Sequence, residues 1–160
     1  MSLPVSLPVS LPVSLKDVAD QIDACPQEWS ASIDRKTGEI VSFPSEDSWG
    51  DKEDFADDIA RVESSQDFIP LPTQRDMNEY RIMERFCDTI TDERKRERLE
   101  DAISGKGAFG RFKAMIIRLD VRDQWFDYKR QAFARETRSF LIDNKIPFID
   151  DAGLEPVPPE

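Results

Sequence analysis

The sequence predicts an α+β fold, mostly helical, with a small antiparallel hairpin or sheet near its N-terminus. Three observations carry this expectation. Apolar residues recur at helical spacing over most of the second half, as in Met83, Phe86, Cys87 and Ile90. An alternating apolar run, Trp29, Ala31 and Ile33, is followed by a glycine turn and a second short run, residues 39–43. The 160 residues, 39% hydrophobic and 34% charged, suffice for one domain with a modest core.

The chain opens with SLPV three times over, residues 2–13. A proline at every fourth position forbids a regular helix, so residues 1–13 are expected to form a disordered tail. Ser14 then sits three residues before Asp17, a helix-opening arrangement, and Leu15, Val18, Ala19 and Ile22 form one stripe that Pro26 stops. In the hairpin, Asp34-Arg35-Lys36-Thr37-Gly38 makes the turn, with Gly38 placed for a positive φ.

Residues 44–67 hold nine acids against two bases, net −7. Phe55, Ile59 and Val62 lie on one helical face, so the charges are expected on the solvated outer face of an acidic helix. Phe68 to Pro72, pinned by two prolines, suits an edge strand or a connector. The stripe of Met83, Phe86, Cys87 and Ile90 extends back through Tyr80 to Met77. A charged helix over residues 93–103 follows, touching the core through Leu99, Ala102 and Ile103. Phe109, Phe112, Ile116 and Leu119 recur at helical spacing, and a last helix starts near Asp123 and ends at Asn144 and Pro147. The expected organisation is a single domain over residues 14–149. Residues 14–72 carry helix, hairpin, acidic helix and edge strand; residues 73–146 are the helical part. A disordered, acidic, proline-rich tail is expected over residues 150–160.

The composition excludes several classes of function. With no histidine, there is no Ser-His-Asp triad, no Cys-His pair and no histidine-ligated metal site. Cys25 and Cys87 form no C-x-x-C pair and suit reduced core thiols of a cytosolic protein. No apolar run approaches the roughly 18 residues of a membrane helix, and the N-terminus has no basic n-region or apolar h-region. The expected location is cytoplasmic. A net charge of −11 argues against nucleic acid covering the whole surface and leaves room for a local basic patch.

That patch is the segment GKGAFGRFK, residues 105–113. It spells G-x-G-x-x-G, but a dinucleotide fingerprint follows a strand, and these glycines follow a charged helix. A kinase loop needs an H-R-D partner, which a chain without histidine lacks. A phosphate loop needs Lys-Ser/Thr where Arg111 and Phe112 stand. Two readings remain. In the structural one, the glycines turn a helix-helix corner and the bases pair with the acidic helices. In the binding one, Lys106, Gly107, Arg111, Lys113 and Arg118 hold an anion or a nucleic acid at a helix start, within residues 106–138, where nine bases outnumber four acids for a net +5. Phe109, Phe112, Trp125, Phe126 and Tyr128 interleave these bases; they stack nucleobases if exposed and form core if buried.

The combination of Phe68-Ile69-Pro70-Leu71-Pro72, Asn78-Glu79-Tyr80-Arg81-Ile82-Met83, Gly105-Lys106-Gly107-Ala108-Phe109, Arg111-Phe112-Lys113 and Trp125-Phe126-Asp127-Tyr128 resembles Uncharacterised Protein Family 0158, small bacterial proteins. The hairpin Ile33-Asp34 to Thr37-Gly38-Glu39-Ile40-Val41 resembles that family's N-terminal hairpin. The resemblance covers about residues 14–146; the SLPV repeat, Gly110 and the acidic C-terminus look like departures from it. It implies fold and localisation and carries no activity.

Function is therefore expected in one of two classes. The first is a non-catalytic interaction or regulatory module with a protein partner or self-association, needing no cofactor and no metal. The alternative is the anion or nucleic-acid binder at the basic corner. An enzyme ranks below both, because no pair of carboxylates is marked for acid-base work and Cys87, on its apolar stripe, is expected in the core.

Overall fold

A computed structural model describes residues 11–45 and 52–155 of the chain. The first element is a two-residue strand, β1 (Val13–Ser14), which runs directly into helix α1 (Leu15–Ala24). The Ser14 hydroxyl accepts the Asp17 amide at 3.1 Å, so the expected N-cap forms, and Leu15, Val18, Ala19 and Ile22 are all buried.

Strands β2 (Trp29–Asp34) and β3 (Ile40–Pro44) pair antiparallel, from Trp29 opposite Pro44 to Ile33 opposite Ile40. The Gly38 amide donates to the Asp34 carbonyl at 2.7 Å, with Gly38 at φ 81°. A side chain there would meet Val13 as well as strain the backbone, since an added Cβ lies 2.5 Å from Val13 Cγ1. The alternation read from the sequence is not that of a one-sided sheet. Ile33 and Val41 are both fully buried yet not opposite one another, and Ser32, the partner of Val41, is buried with it.

A 3-10 turn (Lys52–Phe55) leads into α2 (Ala56–Ser64). Phe55, Ile59 and Val62 are half-buried and form its inner side, with Phe55 edge-on to Trp29 at 5.2 Å. Arg61 joins α2 to the hairpin: its fork holds both carboxylate oxygens of Glu39, at 2.5 and 3.3 Å, and its guanidinium lies over the Phe68 ring. Strand β4 (Phe68–Pro70) then pairs antiparallel with β2, giving the order β3-β2-β4. Pro70 is tolerated because β4 is an edge strand.

Helix α3 (Gln74–Met77) is a single turn opened by reciprocal bonds between Thr73 and Asp76. The Gln74 amide donates to the Asp23 and Cys25 carbonyls, closing the C-terminal end of α1. The apolar stripe expected to run on from Met77 is broken here. Asn78 takes a left-handed conformation, φ 55°, and caps α4 (Glu79–Thr89) as a separate helix.

Helix α5 (Glu93–Ala102) is capped by Asp92, whose carboxylate accepts the Arg94 and Lys95 amides. Helices α6 (Ala108–Arg118) and α7 (Arg122–Asp143) follow. Between them Asp120 is left-handed, and the Val121 amide bonds the Ile116 carbonyl at 2.9 Å. Lys145 ends α7 in the same way, with Ile146 bonding Leu141. The last element, β5 (Phe148–Ile149), runs parallel to β1.

The chain divides into two compact units: one made of Met1–Met77 with Phe133–Glu160, the other of Asn78–Ala132. The first is discontinuous because residues 133–155 return to the N-terminal elements. The ends expected as disordered tails are therefore shorter where they are described. Val13 is 1% exposed and donates its amide to the Pro147 carbonyl. Asp151 accepts the Ser14 hydroxyl at 2.6 Å and the Lys16 amide at 2.9 Å, and Ala152 is buried. Residues 1–10 and 156–160 of those tails lie outside the described residues.

Within the second unit the core is a cluster of rings. Phe86 meets Phe112, Trp125 and Tyr128 at 6.2, 5.4 and 5.5 Å, and Phe112 meets Trp125 edge-on at 4.8 Å. Met83, Cys87, Leu99 and Ile116 are buried in the same unit.

Candidate functional site

The corner between α5 and α6 is built around one arginine. Helix α5 ends at Ala102, and Gly105 and Gly107 both take left-handed φ values, 79° and 78°, which turn the chain back on itself within five residues. Arg111, in the first turn of α6, reaches back over this loop. Its Nε donates to the Ala102 carbonyl at 3.0 Å, Nη1 to Lys106 and Nη2 to Ser104. The Ala102 carbonyl at the end of α5 and two carbonyls of the loop after it thus find donors on one side chain. Gly107 makes room for this: a Cβ there would lie 3.0 Å from Arg111 Nη1.

This settles where each basic residue of the segment stands. The guanidinium of Arg111 is committed to carbonyls. Lys106 is exposed in the loop and Gly107 is the N-cap of α6. Lys113 and Arg118 are both exposed on α6, five positions apart and so about 140° apart around the helix. The expected pairing of these bases with the acidic helices does not form: among the described residues, Lys106, Lys113 and Arg118 make no ion pair. Two of the four acids of α5 are turned to their own helix, where Arg96 reaches Glu93 and Glu100.

What the fold does bring together is a groove of about 610 Å³ along α5 and α6. Its lining is Arg98, Asp101 and Ala102 from one helix and Arg111, Ala114, Met115 and Arg118 from the other. Arg111 and Arg118 belong to the set picked from the sequence; Lys106 and Lys113 stand outside. Arg98 was missed, although the signal existed. Arg111, Ala114, Met115 and Arg118 repeat at i, i+3, i+4 and i+7, a second stripe flanking the apolar one, and Arg98, Asp101 and Ala102 repeat at i, i+3 and i+4. Arg98, like Arg118, makes no ion pair among the described residues. The groove thus has a small apolar floor and two unopposed guanidiniums at its rims, with Asp101 as its one acid.

The aromatic residues divide. Phe112 and Trp125 are 1% and 3% exposed and belong to the core. Tyr128 is half-buried against Phe86. Phe109 and Phe126 are exposed, the latter beneath the Arg122 guanidinium at 5.3 Å. Phe109 lies about 140° from Ala114 and about 180° from Arg118 around α6, away from the groove.

The thiol chemistry is quiet. Burial first, then the charges of Glu100 and Asp88, push Cys87 up to about 11, and burial also raises Cys25. Cys87 is 1% exposed, in the core as its stripe predicts. Among the described residues no three Cys, Asp or Glu side chains are grouped to hold a metal ion, and no helix is long and apolar enough to cross a membrane.

The pattern of motifs that resembled a known family is matched along nearly the whole chain: the model of Uncharacterised protein family (UPF0158) covers residues 10–158. The chain belongs to this family. No curated protein and no solved structure matches it. Membership of UPF0158 accounts for the combination of hairpin, proline-pinned strand and glycine corner in one chain, and it brings no activity with it.

Proposed function

We propose that the chain is a non-catalytic interaction or regulatory module of the bacterial cytoplasm that docks a protein partner in the α5–α6 groove. The observation that carries this reading is the pairing of an apolar floor, Ala102, Ala114 and Met115, with two guanidiniums that have no ion-pair partner among the described residues, Arg98 and Arg118. Arginine on a rim suits planar carboxylates, and a shallow floor of small residues suits a helix or an extended segment. The location is supported by two free cysteines, one of them fully buried and held as a thiol.

The test is crosslinking from inside the groove. A photoreactive residue in place of Ala114, in the full chain expressed in bacterial cells, is expected to give a discrete adduct. The adduct should vanish when Arg98→Glu and Arg118→Glu are added. A position that gives no adduct above background removes the reading.

A second reading has one observation in its favour: Lys106 and Lys113, with Arg98 and Arg118, make no ion pair among the described residues, in a unit that carries 13 bases against 11 acids, net +2. In that case, the chain binds a polyanion there. Fluorescence anisotropy with single-stranded RNA and DNA at low salt would then show binding that weakens with added salt and on Lys106→Ala with Lys113→Ala. The burial of Phe112 and Trp125 weighs against it, since two of the five rings that could stack nucleobases are core.

A further inference from the structure

The groove has a complement elsewhere on the same chain. Outside the unit Asn78–Ala132 the chain carries 9 bases and 22 acids, net −13. One helix there turns a free acidic face to solvent. On α2, Ala56, Asp57, Ala60 and Glu63 are exposed, at i, i+1, i+4 and i+7, and span one side of the helix. Its other charges are already used: Asp58 and Arg61 pair with each other, and Arg61 holds Glu39. Asp57 and Glu63, and Asp54 just before the helix, make no ion pair among the described residues.

The two faces match in kind. The groove offers Ala102, Ala114 and Met115 between Arg98 and Arg118; α2 offers Ala56 and Ala60 between Asp57 and Glu63. Alanines on both sides allow close approach of helix to helix, and free carboxylates stand at the edges where free guanidiniums wait. We propose that the α5–α6 groove receives α2 of a second copy of this chain. This rests on the reading of the groove as a protein-docking site and names its occupant. The contact joins two unlike patches, the groove of one copy and α2 of the other. A single helix in a groove falls in the small-interface class, below about 1,200 Å² of total buried surface, so association is weak and reversible.

The test is sedimentation velocity of the full chain up to hundreds of micromolar. At about 0.1 M salt the screening length of about 10 Å suppresses repulsion between two chains of net −11 while close pairs persist. Self-association is expected there, and at about 1 M salt it should be lost. The double variants Asp57→Arg/Glu63→Arg and Arg98→Glu/Arg118→Glu should each associate at least about tenfold more weakly alone. Mixed together they should associate again, because reversed charges then face reversed charges; circular dichroism of each variant checks that it is folded. A wild-type chain that stays monomeric at both salts, association that survives either reversal, or a mixture that does not recover overturns the proposal. A monomeric chain that still crosslinks a polyglutamate peptide from position 114 overturns the second copy as occupant and leaves the docking groove. A chain that crosslinks only single-stranded RNA from that position overturns both.

Discussion

The two units of this chain are held together by different means. In the unit made of Met1–Met77 and Phe133–Glu160, pieces far apart in sequence bury apolar side chains, among them Leu15, Ile22, Ile33, Val41, Leu141 and Ile146, and are tied by polar contacts as well: β1 on β5, Asp151 on Ser14 and Lys16, Gln74 on the end of α1, and Arg61 on Glu39. In Asn78–Ala132, one continuous run of helices closes on the rings of Phe86, Phe112, Trp125 and Tyr128. The charge follows the same division, net −13 against net +2. The difference teaches that acidity and order coexist in the first unit because specific carboxylates are taken up as caps and clasps. The second unit has such contacts too, in the Asp92 cap and the Arg111 fork, but these and its ring core join residues of one continuous segment.

The largest expected effect is in the ring cluster. Phe112→Ala or Trp125→Ala removes a buried ring and should cost about 3–5 kcal/mol in urea unfolding. Hydrogen exchange sharpens the comparison: amides of residues 78–132 should lose protection first, ahead of those in β2 and β3. Equal loss in both units would mean that they are not separately held.

Next comes the corner. Arg111→Ala leaves the Ala102, Ser104 and Lys106 carbonyls without this donor and should cost about 1–2 kcal/mol. Arg111→Lys should recover little, since a single ammonium cannot reach three carbonyls in a fork. Gly107→Ala strains a left-handed position and crowds Arg111, so it should cost about 1 kcal/mol or more. A full rescue by lysine in thermal melts would show that charge alone matters at the corner.

A smaller, pH-dependent effect is expected at Asp151. Partial burial raises its carboxyl, but the Lys16 amide and the Ser14 hydroxyl outweigh this and hold it below the usual range. The folded pKa is thus lower than the unfolded value near ~3.9, so the clasp contributes fully above that value and is lost as pH falls through the folded pKa. Asp151→Ala should cost about 1 kcal/mol at neutral pH. The difference from wild type should shrink in melts taken at successively lower pH; a difference that grows on acidification would contradict the clasp. At the bottom of the scale, Lys113→Ala should change stability by less than about 0.5 kcal/mol, because the side chain is exposed and unpaired.

Legibility in the sequence tracks the same division. The cap at Ser14, the Gly38 turn, the edge strand with Pro70 and the stripe of Met83, Phe86 and Cys87 were all readable, because each depends on residues within a few positions of one another. The break at Asn78 was not, since a left-handed asparagine leaves the apolar spacing on either side intact. Nor was the order of residues 150–155, where an acidic, proline-rich composition hides one carboxylate that meets a helix start 135 residues earlier. At the candidate site, Arg111 and Arg118 were legible as bases beside a glycine loop, but not their roles.

By itself, then, the sequence determined most of the helices, the hairpin and the glycine corner, because hydrophobic period, capping and glycine φ are local properties; which rings form the core it left open. Only the tertiary structure decided where the side chains of the basic segment stand. The glycines and Arg111 serve the corner itself, and the unpaired guanidiniums belong to a groove that needs Arg98 from another helix. Which side chains share a face across two helices depends on how those helices pack, and no spacing along one chain states that.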